Sequence, residues 1–175
     1  MACLPWPQKK DLTTLTVNPS FFDLLKSPIM LLAFGFGSGL SRVAPGTVGT
    51  LMAAVLWLFL VQLPTLLYLV AVLLCALLGI YICGEAAKRL NEHDHGGIVW
   101  DEFVGLWIAL ATIPPDWSAL MVGVVLFRFF DIAKPWPIRW IDGNVHGGFG
   151  IMIDDVIAGL ATLGCIQMMV FYGWL

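Results

Sequence analysis

The sequence predicts an all-α fold: an integral membrane helical bundle of about five spans, plus a short re-entrant or interfacial N-terminal segment. Three observations predict it. Hydrophobic residues make up 59% of the chain and charged residues 12%, with a mean hydropathy of +0.89, far from the composition of soluble domains. The apolar residues gather in blocks of the order of the roughly 20 residues that one membrane crossing requires. Lys and Arg fall on alternate breaks between those blocks, as expected when cytoplasmic loops retain positive charge. The 175 residues leave room for one such bundle and none for a second soluble domain. Cys3, Cys75, Cys83 and Cys165 are far apart, so they indicate neither a disulfide framework nor a paired-cysteine metal site.

The elements follow in order. Residues 1–17 carry Lys9, Lys10 and Asp11 among threonines and prolines without the apolar core of a signal peptide, and are expected to form a cytoplasmic tail. Asn18-Pro19 reads as a helix start before the run 20–26, which ends ahead of Pro28. Phe21, Phe22, Leu24 and Leu25 suit this helix to the membrane interface. Residues 29–40 are apolar but short and hold Gly35, Gly37 and Gly39, so they are expected to tuck into the bundle and not to span it. A Pro45-Gly46 turn with Ser41, Arg42, Thr47 and Thr50 around it opens onto a helix whose N-terminus suits an anion, or is simply a capped turn.

Residues 48–63 and 66–83 form an uncharged helical hairpin broken at Pro64. A polar stretch over 84–97 holds His93-Asp94-His95. Spans over 98–113 and 118–133 are separated at Pro114-Pro115, and a second glycine-rich loop over 146–150 precedes a last span over 152–175. Phe171, Tyr172 and Trp174 mark the interface at its end. With the N-terminus inside, the inner segments hold Lys9, Lys10, Lys26, Arg42, Lys88, Arg89, Lys134 and Arg139. The outer loops near Pro64 and Pro114 hold none, so five spans place the C-terminus outside.

Acidic residues inside such spans demand a reason, because each costs roughly 2.5–3.5 kcal/mol on insertion scales. Asp101 and Glu102 lie about one turn inside the third span, Asp131 about one turn from the end of the fourth, and Asp154 and Asp155 in the first turn of the fifth. All five carboxylates therefore share one layer on the cytoplasmic side. Side by side at low dielectric they would repel, and a divalent cation resolves this. An all-oxygen ligand set favours Mg²⁺; Asp101, Glu102, Asp131 and Asp154 are the candidate ligands and Asp101, Glu102, Asp131 and Asp155 the candidate catalytic set, with the choice of ligands and of the base left open.

Arg128, Asp131 and Lys134 recur at spacing three, on one helical face. The two cations either neutralise Asp131 or bind phosphate beside a metal, as phosphoryl chemistry requires. Arg42, Thr47, His93 and His95 complete the candidate substrate-binding set. His-x-His in a polar loop is a weak basis for zinc; phosphate contact or proton transfer to a leaving alkoxide is the role assigned. Cys83 to Arg89 spells C-x5-R but lacks a glycine-rich phosphate cradle, and Asp142-Gly143 continues as Asn144-Val145-His146, unlike the CDP-alcohol phosphotransferase motif. The DxDx signature of aspartyl phosphatases and the motifs of histidine-dependent lipid phosphatases are missing from the chain. A cation or proton carrier is the alternative, but it needs a path to both faces, and every span acid lies on the inner side.

The series GFGSGLSRVAPGTVGT (35–50), HDHGGIVWDEFVG (93–105), FRFFDIAKPWPIRW (127–140) and HGGFGIMIDDVIAG (146–159) resembles the bacterial phosphatidylglycerophosphatase A family in motif order, from about residue 29 to the C-terminus. The resemblance implies a Mg²⁺-dependent, multi-pass enzyme of the bacterial inner membrane with its site on the cytoplasmic side. It would hydrolyse phosphatidylglycerophosphate to phosphatidylglycerol and phosphate in phospholipid biosynthesis. It carries the acidic roles onto Asp101, Glu102, Asp131, Asp154 and Asp155 and the basic ones onto Arg128 and Lys134. On this reading residues 1–28 are tail and interfacial helix, and 29–175 the membrane-embedded catalytic domain. The expected partners are an anionic phospholipid and the membrane, with no nucleic acid. Water attack and an aspartyl-phosphate intermediate are both compatible with the residues, and the oligomeric state is left open.

Overall fold

The computed structural model describes residues 19–92, 95–113 and 115–175, and all its regular elements among them are helical. The expected tail over 1–17 lies outside the described residues, as do His93 and Asp94. Among the described residues eight α-helices follow one another: α1 Phe21–Leu25, α2 Pro28–Ala33, α3 Pro45–Leu60, α4 Thr65–Leu90, α5 Trp100–Ala109, α6 Trp117–Ala133, α7 Ile138–Asn144 and α8 Gly147–Phe171. A 3₁₀ run, Gly35–Leu40, links α2 to α3.

The short N-terminal elements do not form a span. Phe21, Phe22 and Leu25 of α1 stay exposed, while Met30, Ala33 and Phe34 are fully buried. The α2 segment is pinned to the core where Val99 N–H donates to the Ala33 carbonyl at 2.8 Å, and where Arg89 donates to the Ser27 hydroxyl at 2.8 Å. The helix start expected at Asn18-Pro19 falls two residues later. Ser20 is the N-cap, and both its N–H and its hydroxyl donate to Asp23.

Among the described residues two helices, Thr65–Leu90 and Gly147–Phe171, are long and apolar enough to cross a membrane. The count of five long spans is not what the helices show. In place of the expected span over 98–113 stands the ten-residue α5, about 15 Å long and sunk in the bundle with nine of its residues buried. Its sequence looks like a span because a helix surrounded by other helices is apolar all round for the same reason as one surrounded by lipid. α4 runs on through the polar residues to Leu90 and ends at Asn91 in the left-handed conformation, with Lys88 and Arg89 in its last turn. α8 begins at Gly147, so the expected second glycine loop is helix and Asp154 and Asp155 lie two turns in.

α5 and α8 are the centre. A Cβ on Gly159 would strike the Gly105 carbonyl and one on Gly105 would lie 2.8 Å from the Asp155 carbonyl, so the two glycines permit this close crossing. Tyr68 and Trp107 tie the other end, donating to the Trp107 carbonyl at 2.5 Å and the Ala53 carbonyl at 3.0 Å. The outer surface is apolar: Leu66, Leu73, Leu74 and Leu77 of α4, Phe59 of α3, Val125 and Phe129 of α6 and Met168 of α8 are all exposed. Such an exterior is consistent with lipid contact.

Candidate active site

The first residues of α3, α5 and α8 and the last of α6 meet at one end of the bundle around a cavity of about 410 Å³. Its lining includes Asp101, Glu102, Arg128, Asp131, Lys134, Asp154 and Asp155, so the structure brings together all five carboxylates and both cations singled out from the sequence. Asp101, Glu102, Asp154 and Asp155 are each no more than 8% exposed.

The cations are interleaved with the acids. Arg128 Nη1 donates to Glu102 Oε1 at 2.8 Å and to Asp131 Oδ2 at 2.5 Å, joining α5 to α6. Spacing three places Arg128 and Asp131 together as expected. Lys134 does not join them. It caps α6 in the left-handed conformation (φ 40°), and its Nζ donates to Asp154 Oδ2 and Asp142 Oδ1, both at 2.7 Å. Burial is the largest single influence on this lysine and works against its charge, but its bonds to the two carboxylates outweigh it and hold its pKa above the ordinary lysine value.

Glu102 is held from the other side by glycine. A Cβ on Gly46 would collide with Glu102 Oε1 and stand 3.0 Å from both terminal nitrogens of Arg128. A Cβ on Gly49, one turn along α3, would come within 2.6 Å of Glu102 Oε2. The carboxylate therefore fits into a notch that only glycine leaves in α3. Pro45, with no N–H to lose, opens that helix at its first position.

Asp142 was missed by sequence reasoning, which used Asp142-Gly143 only to exclude a motif. Its signal was a carboxylate eight residues beyond Lys134 across a Pro-Trp-Pro turn, on the short helix α7 that the periodicity did not suggest. The Gly46 and Gly49 notch was missed as well. Of the candidate substrate ligands, Thr47 is half-buried and lines neither this cavity nor its neighbour, Arg42 and His95 line the neighbouring cavity, and His93 lies outside the described residues.

Six carboxylates, counting Asp142, face two cations across this cavity. The donors are all hard oxygens, the set that suits Mg²⁺, and the excess of negative charge suits a divalent ion. Among the described residues no three His, Cys, Asp or Glu side chains stand close enough to hold one as they are placed. Arg128 and Lys134 sit between carboxylates of different helices. The residues fit such an ion by donor type and charge, with the cations drawn aside.

Buried acids and bases interleaved around a cavity at one end of an apolar helical bundle define the class: a membrane-type helical protein with a charged site at one end. The family model described as Phosphatidylglycerophosphatase A matches residues 31–170. The chain is 49% identical over 159 residues to Phosphatidylglycerophosphatase A of Escherichia coli, covering 87% of this chain and 92% of that one. It is 51% identical over 145 residues to the Haemophilus influenzae protein of the same name, covering 82% and 89%. No solved structure matches it. The chain belongs to the phosphatidylglycerophosphatase A family.

Proposed function

We propose that this protein hydrolyses phosphatidylglycerophosphate to phosphatidylglycerol and inorganic phosphate at the cytoplasmic face of a bacterial membrane, as a step of phospholipid biosynthesis. The observation that carries the reading is the Glu102–Arg128–Asp131 bridge beside the Asp154–Lys134–Asp142 bridge, both on one cavity. Two cations held at fixed positions by carboxylates suit a phosphomonoester, whose transition state spreads negative charge over its oxygens.

The chain runs five times between the cavity end and the opposite end, as α3, α4, α5, α6 and α8. We read these as five crossings, α5 being shielded inside the others. Arg42, Lys88, Arg89, Lys134 and Arg139 gather toward the cavity end of the chain's path, which supports placing that end in the cytoplasm. The lipid then keeps its acyl chains along the apolar flanks and offers its terminal phosphate to the cavity.

Mg²⁺ belongs to this proposal, with Asp101, Glu102, Asp131 and Asp154 as the residues that would hold it. Bound there, it would supply Lewis-acid polarisation of the phosphoryl oxygens and a lowered pKa for the attacking water. Arg128 and Lys134 orient the phosphate and stabilise its developing charge. Asp155, the least exposed of the five carboxylates, takes a proton from the attacking water. The water oxygen bonds to phosphorus as the phosphorus–oxygen bond to the glycerol breaks, and the departing alkoxide takes up the proton that Asp155 accepted, releasing the lipid alcohol.

Phosphate release from phosphatidylglycerophosphate in detergent, with Mg²⁺ and then with chelator, tests the reading. Wild type should turn over only with Mg²⁺, and Asp131→Asn and Glu102→Gln should abolish turnover while remaining folded. Full rates for both variants in chelator would reject the metal site, and no phosphate release from wild type would reject the activity.

A further inference from the structure

A second cavity, of about 690 Å³, adjoins the first: Pro45 and Gly96 line both. Its charge is opposite in kind. The ionisable side chains that line it are Arg42 and His95, and among the described residues no Asp or Glu does. Phe34 and Leu40 supply apolar wall. Arg42 is exposed and has no acidic partner among the described residues. His95 Nδ1 accepts the Gly97 N–H at 3.0 Å, and its Nε2 stands 3.9 Å from Glu92.

We propose that this pocket binds the internal phosphodiester of the same lipid whose terminal phosphate enters the acidic cavity. The inference rests on the phosphatase reading above and extends it to how the substrate is selected. Phosphatidylglycerophosphate carries two phosphates that need opposite treatment. The terminal monoester must meet carboxylates that bind an ion or move a proton. The internal diester carries one negative charge, does not react and survives in the product, so it calls for a cation without nearby acids. Arg42 supplies that cation, and Phe34 and Leu40 lie where the acylated end needs apolar contact. The glycerol bridge passes beside Gly96, where an added Cβ would meet only the Pro45 ring, at 4.0 Å. A lipid with a monoester alone, such as phosphatidate, fills one pocket and leaves Arg42 unused, so the pair of pockets selects for a lipid with both.

Arg42→Gln and Arg42→Lys test this, since the exposed side chain can be changed without opening the core. The kcat/KM ratio for phosphatidylglycerophosphate over phosphatidate should fall about tenfold or more in Arg42→Gln, the effect of losing one charge-assisted hydrogen bond, mainly through KM. Arg42→Lys should recover part of it. Calorimetric binding of a short-chain phosphatidylglycerol, which has the diester but no monoester, should weaken by a similar factor. An unchanged ratio, or equal losses on both substrates, overturns the subsite. Equal weakening of oleate binding overturns it too, because Arg42 would then only attract an anionic surface. If wild type releases no phosphate, the activity reading fails, and the phosphatidylglycerol binding arm still decides the subsite.

Discussion

Gly46→Ala perturbs the site through one methyl group. Gly46 is the second residue of α3, so alanine gains up to about 1 kcal/mol of helix propensity. The methyl would collide with Glu102 Oε1 and crowd both terminal nitrogens of Arg128 to 3.0 Å. A carboxylate at the end of a flexible side chain moves more readily than a helix, so Glu102 should swing away and lose its 2.8 Å bond to Arg128. A hydrogen bond to a charged group contributes about 1.5–3 kcal/mol, and Arg128 keeps Asp131. Net destabilisation should therefore be only about 0.5–2 kcal/mol, the difference between these terms. The rate should suffer more, by about 2.7–4 kcal/mol, or a hundred- to a thousandfold, as when one preorganised electrostatic group is lost from a site. Melting temperature and phosphate release on the same preparation separate the two. A rate near wild type with unchanged melting would refute the argument, because the Glu102–Arg128 geometry would then not govern turnover.

Two further outcomes concern the polar ends of α6. Lys134→Met should cut kcat/KM by about 2–4 kcal/mol and lower the melting temperature, and adding Asp154→Asn should recover the melting temperature but not the rate; recovery of both would make Lys134 a neutralising partner only. Its raised pKa means that its contribution to stability is complete below the ordinary lysine pKa and is lost only as pH climbs through the raised value, so melting should not change between pH 7 and 9 on its account. At the other end Asp116 caps α6 and accepts from Ser118 and from the Ala119 N–H, contacts that hold its carboxyl below the usual range. Asp116→Ala should lower the melting temperature at pH 7 with no change in turnover, and the difference from wild type should shrink as pH falls through that depressed pKa.

The charged residues were legible because membrane-type sequence makes them rare. Arg128, Asp131 and Asp154 stand out against apolar neighbours, and helical rise alone puts them in one layer. Their pairing was not legible. Spacing three suggests Lys134 beside Asp131, but the helix ends at Lys134 in a left-handed residue, and that turn carries the ammonium to α7 and α8. The length of α5 was hidden because burial in protein and burial in lipid select the same side chains. Gly46 and Gly49 read as a turn and a helical position, since a notch is a property of two surfaces and only one is local in sequence. Ala44 shows the same limit: its backbone is left-handed (φ 47°) before Pro45, against the preference of a residue that precedes proline.

The arrangement of charge also explains why an anionic substrate and an acid-rich cavity are compatible. Before substrate arrives, Arg128 and Lys134 are engaged by Glu102, Asp131, Asp142 and Asp154, so their positions are fixed without phosphate. Bringing in a phosphate dianion adds charge of the sign already in excess, and the two cations cannot balance six carboxylates and the phosphate together. Either protons or a divalent ion must take up the carboxylates before the cations can turn toward phosphate. These two routes differ in a measurable way: activity sustained by protonation should rise as pH falls and ignore chelator, whereas activity sustained by Mg²⁺ should vanish with chelator at every pH. The all-oxygen donor set favours the second.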